Sequence, residues 1–582
     1  MTLPISESAI RSHSIESSFS RGESYYEQGA VADLVQRGNT IFAEVEGSEF
    51  TPYQVRLTFD AAGITAAHCT CPYDYEGWCK HLVAVALACV RQPDSLEKRP
   101  TLAQLLDRLD QGQMRQLVQE LVEQQPDLME RVDRVVLRLA NPVPPVQQGK
   151  TRRSAVNAAP YRRQVKHILR EGVRYLEEGY EDDPFSEELE TIINKAEEFS
   201  REGDGNSAIA ILQEITGACA DEWDDLAEYG GDSFPITEML DEAWAEAILS
   251  AELSPAEVID LGVMLEEWQE ILDGDFSMSL AALDQGWTDP QIQRVLQGKG
   301  YSDPARLEAS YGQKLALIRL QILDRQERQQ EYLNLANAED LMQPYLTRLA
   351  ELGRIEEAVT TARSRMTTAE EAFSLAKALR SQNQFAEALS IAQAGLPLPG
   401  HCRYDLAIWT SELAENLEQP DIAQTASMTA FSVKPNFADY QRVRQFAEDW
   451  DSTRFDLLYT LRQSHGWDAQ EAKVDIFLHE GLIEDAIQAV HGETYRSELV
   501  HRVMEAAIST HPDWVIEAAC QRADAIMDRG KADRYDEAVK WLKQAKAAYL
   551  AAGQKAAWEA YFDRLRSFHG RKYKLMDLFK QL

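Results

Sequence analysis

The sequence predicts a mostly α chain, with a small α+β module at the N-terminus and a long series of helical repeats behind it. Three observations carry that prediction. Apolar and polar residues alternate in the stretches around 41–45 and 53–60, the period of a sheet with one wet face. Residues 141–160, NPVPPVQQGKTRRSAVNAAP, hold four prolines and no apolar period, which marks a linker. Beyond residue 160 a polar or small-residue turn followed by an apolar-Glu-Ala pattern recurs about every 30–35 positions.

Taken in order, the elements begin with a short helix and then strands. Ile41, Ala43 and Val45 alternate with polar neighbours after the turn signal Arg37-Gly38-Asn39. Tyr53, Val55, Leu57 and Phe59 alternate with Gln54, Arg56, Thr58 and Asp60. A second turn at Ala61-Ala62-Gly63 leads into a strand over Ile64–Cys69. From His81 to Val90 the run HLVAVALACV is apolar nearly all round and too long for an ordinary strand, so it reads as a buried helix. Two further helices fit Leu102–Leu109 and Met114–Leu139. In the repeats LGRIEEAV places Ala358, QNQFAEAL Ala388, PDIAQTA Ala423, GLIEDAI Ala486 and RYDEAV Ala538, with a weaker echo at Ala208. Alanine at such a period suits the close crossings of a paired-helix α-solenoid. The full tetratricopeptide pattern of Trp, Gly, Tyr and Pro is absent, so these repeats are tetratricopeptide-like.

Composition narrows the function. Hydrophobic residues make up 44% and charged residues 27% of the 582, which suits folded domains rather than disorder. The net charge of −37 excludes a generally basic nucleic-acid coat protein. No apolar run approaches the ~18–20 residues that span a bilayer, and the first thirty residues lack a signal peptide's apolar core. Seven cysteines, three of them within eleven positions, make no disulfide framework and point to reduced thiols in a cytoplasmic protein. The acid is concentrated: residues 176–275 hold 31 acidic side chains against Lys195 and Arg201. Just before them, Lys150, Arg152, Arg153, Arg162, Arg163, Lys166, Arg170 and Arg174 face only Glu171. Two readings stay open here: solvated helix faces of opposite sign, or a basic stretch that binds something acidic, the adjoining block included.

The motif that carries chemistry is Cys69-x-Cys71-x₇-Cys79-x-His81. Zinc takes four soft or borderline donors in a tetrahedron. Cys69 and Cys71 stand at a strand end with Pro72 to turn the chain, and Asp74 and Gly77 suit the loop. Cys79 and His81 start the apolar helix, whose N-terminus favours thiolate. Three thiolates and one imidazole leave the site at −1, and Lys80 is placed to offset that charge. Four protein donors fill the shell, so the expected zinc is structural. His68 is a rival ligand, but on a strand it points away from Cys69. Cys89, Cys219, Cys402 and Cys520 are isolated in helical surroundings and read as small core residues.

These residues, with the flanks CPYDYEGWCKHLVAVAL, resemble the SWIM zinc finger. The upstream RGESYYEQGAV and YQVRLTF, and the closing RKYKLMDLFKQL, are also similar to bacterial SWIM proteins with a long helical C-terminal region. The resemblance implies that Cys69, Cys71, Cys79 and His81 bind one zinc. It also implies a DNA-binding or protein-binding module, of the kind found beside remodelling ATPases and in transposases.

No enzyme signature competes with that reading. Gly149-Lys150-Thr151 resembles the end of a phosphate loop, but residue 144 is proline where the first glycine belongs. Asp221, Asp224, Asp225 and Asp232 lack the spacing of a calcium loop. The expected organisation is a SWIM zinc module (1–95), a helical connector and basic linker (96–175), an acidic helical region (176–275) and tetratricopeptide-like repeats (276–582). The expected function is a non-enzymatic zinc-binding adaptor or scaffold for a protein partner, with no membrane and no small-molecule substrate. The alternative is a nucleic-acid-binding protein acting through the module and residues 150–174, with a separate helicase or nuclease.

Overall fold

The structure is a computed structural model that describes residues 6–47, 51–73, 77–125, 128–129, 132, 156–178, 185–229, 232–301, 312–493, 496–530 and 532–582. Residue contacts divide the chain into two compact units. One comprises residues 1–101, 367–373 and 385–582, and the other residues 102–366 and 374–384.

The first unit opens with α1 (Glu7–Ser12) and α2 (Glu16–Glu27), followed by β1 (Val31–Arg37), β2 (Thr40–Val45), β3 (Tyr53–Asp60) and β4 (Gly63–Cys69). Helix α3 (Lys80–Arg91) and the short β5 (Glu97–Arg99) complete the module. The sheet order is β4-β3-β2-β1-β5, antiparallel except where β5 pairs parallel with β1. Tyr53, Val55, Leu57 and Phe59 turn inward on β3 while Gln54 and Arg56 face solvent, as the alternation requires. They pack against α3, in which every residue from His81 to Cys89 is buried, and against Phe19 and Ile10 of the two leading helices.

Strands β1 and β5 go beyond the sequence reading, and the geometry shows why they were hidden. Asp33 sits at φ 45°, and the β1–β2 register shifts between Ala32 and Val35, a bulge that scrambles the period of two. Strand β5 is three exposed residues, too short to show a period, and exists by pairing with Val35–Arg37. Of the two expected connector helices, one spans Leu102–Leu106. The other runs Gln111–Gln124 and opens with a capping box between Asp110 and Gln113. Most of the expected extension to Leu139, and the linker up to residue 155, lie outside the described residues.

The helical remainder is built from consecutive short-linked helices. Ala208, Ala358, Ala388, Ala423, Ala486 and Ala538 are all fully buried, each on the helix that follows such a turn. Five of these six turns share one device: Gly203, Gly353, Asn383, Glu418 and Gly481 take left-handed backbone two positions before the next helix. At Gly353 the amide bonds the Ala350 carbonyl and the Arg354 amide bonds that of Leu349, the paired closure of a helix C-terminus. Glu418 makes the same turn without glycine's ease.

In the second unit the acidic region is an ordinary helical core with most of its charges outside, Asp241 and Glu246 being buried. Val165, Leu169, Ile211, Leu212, Ile215 and Trp244 have no exposed surface. The Trp244 indole donates to Thr216 Oγ1 at 2.9 Å. The buried Asp241 carboxylate accepts the amides of Met278 and Ser279 at the start of helix Ser277–Gln285, which satisfies donors the helix cannot use itself. Among the described residues no helix is long and apolar enough to cross a membrane.

Candidate metal centre

Each donor is placed by a local constraint. Cys69 is the last residue of β4, in register with Val55. The Thr70 amide still bonds the Gln54 carbonyl at 3.1 Å, after which the chain turns and presents Cys71. On the return, Gly77 has φ 79°, and a Cβ there would stand 2.7 Å from the His13 carbonyl oxygen, so only glycine fits. Cys79 is the N-cap of α3, and His81 lies in its first turn.

The four donor atoms, the sulfurs of Cys69, Cys71 and Cys79 and one His81 nitrogen, lie within 4.8 Å of one another. Cys69 Sγ is 3.7 Å from His81 Nδ1. Donors held ~2.0–2.3 Å from one zinc at tetrahedral angles stand about 3.5–3.8 Å apart. The cluster is therefore on the scale of a zinc shell and fits the ion. Tyr53 stacks on the His81 ring at 4.3 Å and Tyr25 meets it edge-on at 5.5 Å, which fixes the imidazole. Its Nε2 is buried without a hydrogen-bond partner among the described residues.

The thiols divide their protons unequally. A hydrogen bond from Cys69, opposed by burial and aided by His81 and the Leu82 amide at the helix start, holds Cys79 well below the ordinary thiol range. The same bond to Cys79, with burial, pushes Cys69 up, and burial raises Cys71. A bound cation must displace those protons, so metal uptake releases acid. Four protein donors would complete a tetrahedral shell around one ion.

Other sequence candidates fall elsewhere. His68 pairs in register with Arg56, and the cluster of donors does not include it. Lys80, expected to offset the thiolate charge, extends its ammonium over the Tyr25 ring at 4.5 Å. Asp74 and the Gly149-Lys150-Thr151 triplet lie outside the described residues. Cys89 and Cys219 are buried, while Cys402 and Cys520 are half-buried.

The basic stretch meets its own acids. Lys150, Arg152 and Arg153 lie outside the described residues, but Arg162, Lys166 and Arg170 form one stripe of helix Ala159–Glu177. Arg162 pairs with Glu214 at 3.3 Å and Asp221 at 2.5 Å, Lys166 with Asp221 at 2.8 Å and Glu222 at 3.3 Å, and Arg170 with Glu222 at 2.9 Å. Asp221 is thereby an ion-pair partner, and the Asp232 carboxylate accepts the Phe234 amide at 3.0 Å.

Residues that sequence reasoning missed adjoin the metal loop. The His13 ring stacks on Trp78 at 4.8 Å, with 8° between the planes, and its carbonyl accepts the Trp78 amide. His13 Nε2 stands 3.0 Å from the Glu412 carboxylate. Burial resists charge on this imidazole and Glu412 overcomes it, so His13 titrates above its usual range. The partners are 399 positions apart, and no local pattern announces them.

A family profile described as SWIM zinc finger matches residues 53–90, which span β3, β4, the metal loop and most of α3. The chain thus carries a SWIM zinc finger with its Cys and His cluster positioned to bind one zinc ion. It is 33% identical over 109 residues to the zinc finger SWIM domain-containing protein 8 homolog of Drosophila melanogaster, covering 19% of this chain and 5% of that protein. To the human zinc finger SWIM domain-containing protein 8 it is 30% identical over 112 residues, covering 19% and 6%. The matched region is therefore a small fraction of those relatives' length. No solved structure matches the chain.

Proposed function

We propose that the protein is a cytoplasmic, non-enzymatic adaptor in which a structural zinc sets the N-terminal module and tetratricopeptide-like helix pairs receive a protein partner. Bound zinc would supply folding free energy, which in small zinc fingers is roughly 10–16 kcal/mol. The residues that would hold it are Cys69, Cys71, Cys79 and His81. The observation that carries a protein partner over a nucleic acid is the ladder of Arg162, Lys166 and Arg170. Its cations are already engaged by Glu214, Asp221 and Glu222. Phosphate would have to displace those carboxylates and approach a surface rich in others.

The test is affinity purification of the full chain from its native cell, with and without nuclease. The adaptor reading expects the same protein partners in both preparations. Partners that vanish with nuclease, or nucleic acid as the main co-purified species, would promote the alternative.

A further inference from the structure

The zinc module is fastened to two helices of its own unit, and the fastenings begin beside the metal ligands. Gly77 and Trp78 immediately precede Cys79. Trp78 holds His13 by its amide and its ring, and His13 carries the contact to Glu412 of helix Arg403–Asn416 at 3.0 Å. On the same helix Asn416 Nδ2 donates to the Ala62 carbonyl at 2.7 Å, in the turn that leads into β4 and its terminal ligand Cys69. Helix α1 also packs on helix Phe437–Phe446.

The character of this interface is polar. Behind Glu412, the buried Arg442 donates through Nε to Ser411 and through Nη2 to Glu415, each at 3.0 Å. The buried Asp439 accepts from Tyr404 at 3.0 Å and from Asn436. Arg442 Nη1 and Asp439 Oδ1 have no hydrogen-bond partner among the described residues. The apolar cores on the two sides, around Ile10, Phe19 and Val83 and around Phe431, Tyr440 and Val443, have no residue in common. A surface joined by ion pairs and hydrogen bonds rather than by one apolar core resembles separable interfaces.

We infer that metal occupancy controls this docking. Helices Arg403–Asn416 and Phe437–Phe446 are the seat of the zinc-loaded module, and loss of the ion releases the module from them. The inference rests on the zinc reading. A tetrahedral ion ties Cys79 at the start of α3 to Cys69 at the end of β4, and so fixes Trp78 and the Ala62 turn at one spacing. That spacing lets His13 and Ala62 reach Glu412 and Asn416 on one helix together. Without the ion the two attachment points move independently, and each contact must be held alone.

Hydrogen exchange read by mass spectrometry on the full-length chain tests this, zinc-loaded and after chelation, beside the variant Glu412→Ala with Asn416→Ala. Chelation should speed exchange in peptides from 403–416 about tenfold or more, and leave those from 535–551 unchanged. The double variant, whose ligands are intact, should keep its zinc and show the faster exchange at 403–416 without chelator. Equal exchange in loaded and chelated chains, or a double variant as protected as the parent, overturns the inference while the zinc reading stands. A purified chain without zinc overturns both.

Discussion

Removing the carboxylates of the 162–170 ladder should turn a neutralised surface into one that binds nucleic acid. Asp221→Asn with Glu222→Gln deletes four of the five ion pairs and leaves Arg162 with Glu214 alone. The partners are 12–64% exposed, so solvent and salt screen each pair and none contributes much alone. Losing them leaves the helix in place, because Val165 and Leu169 anchor it in a fully buried core. Two cations, Lys166 and Arg170, are freed on one stripe, while Arg162 keeps Glu214. If each meets a phosphate, the log–log salt dependence of binding should steepen by about 2. The assay is fluorescence anisotropy of full-length parent and variant, with one labelled duplex and one single strand, from low to moderate salt. The parent should bind weakly or not at all, and the variant measurably at low salt. A folded variant that binds neither probe refutes the view that these carboxylates mask a phosphate surface. A parent that binds as tightly as the variant refutes masking and favours the nucleic-acid reading.

Burial raises the Asp439 carboxyl to about 6 despite hydrogen bonds from Asn436 and Tyr404. The folded chain therefore holds that proton more tightly than the unfolded one. The cost of charging it, up to about 3 kcal/mol, is present above pH 6 and disappears as pH falls through 6 toward the ordinary 3.8. Asp439→Asn should raise the urea midpoint at pH 7, with the gap closing toward pH 4; no gap at pH 7 would show that the carboxylate is not penalised there. Ala388 is fully buried, so Ala388→Leu should overpack its surroundings and lower stability by about 1–3 kcal/mol, read as a lower thermal midpoint. An unchanged midpoint would mean that the small residue is not required.

What the sequence revealed were features with a local period or spacing. Tyr53 to Phe59 alternate because one face is wet, and the four metal donors fall within thirteen positions on a strand end and a helix start. The recurrent alanines are fully buried, as small residues at helix crossings should be. What stayed hidden depends on tertiary context. A bulge at Asp33 erased the alternation of β1, and Glu418 turns the chain in a conformation usually signalled by glycine. The seat of the module is joined by His13 and Glu412, which no window of sequence connects. The basic stretch and the acidic block were visible as charge, but only the fold showed that Arg162, Lys166 and Arg170 are matched with Glu214, Asp221 and Glu222.

The most direct test of a structural zinc at the centre of this protein is metal analysis of the purified full-length chain beside Cys71→Ser. The predicted result is one zinc per chain for the parent. The variant should lose the metal and the protection against hydrogen exchange in Val83–Cys89, the buried part of α3. A parent without zinc, or a variant that retains both the metal and that protection, would contradict the account.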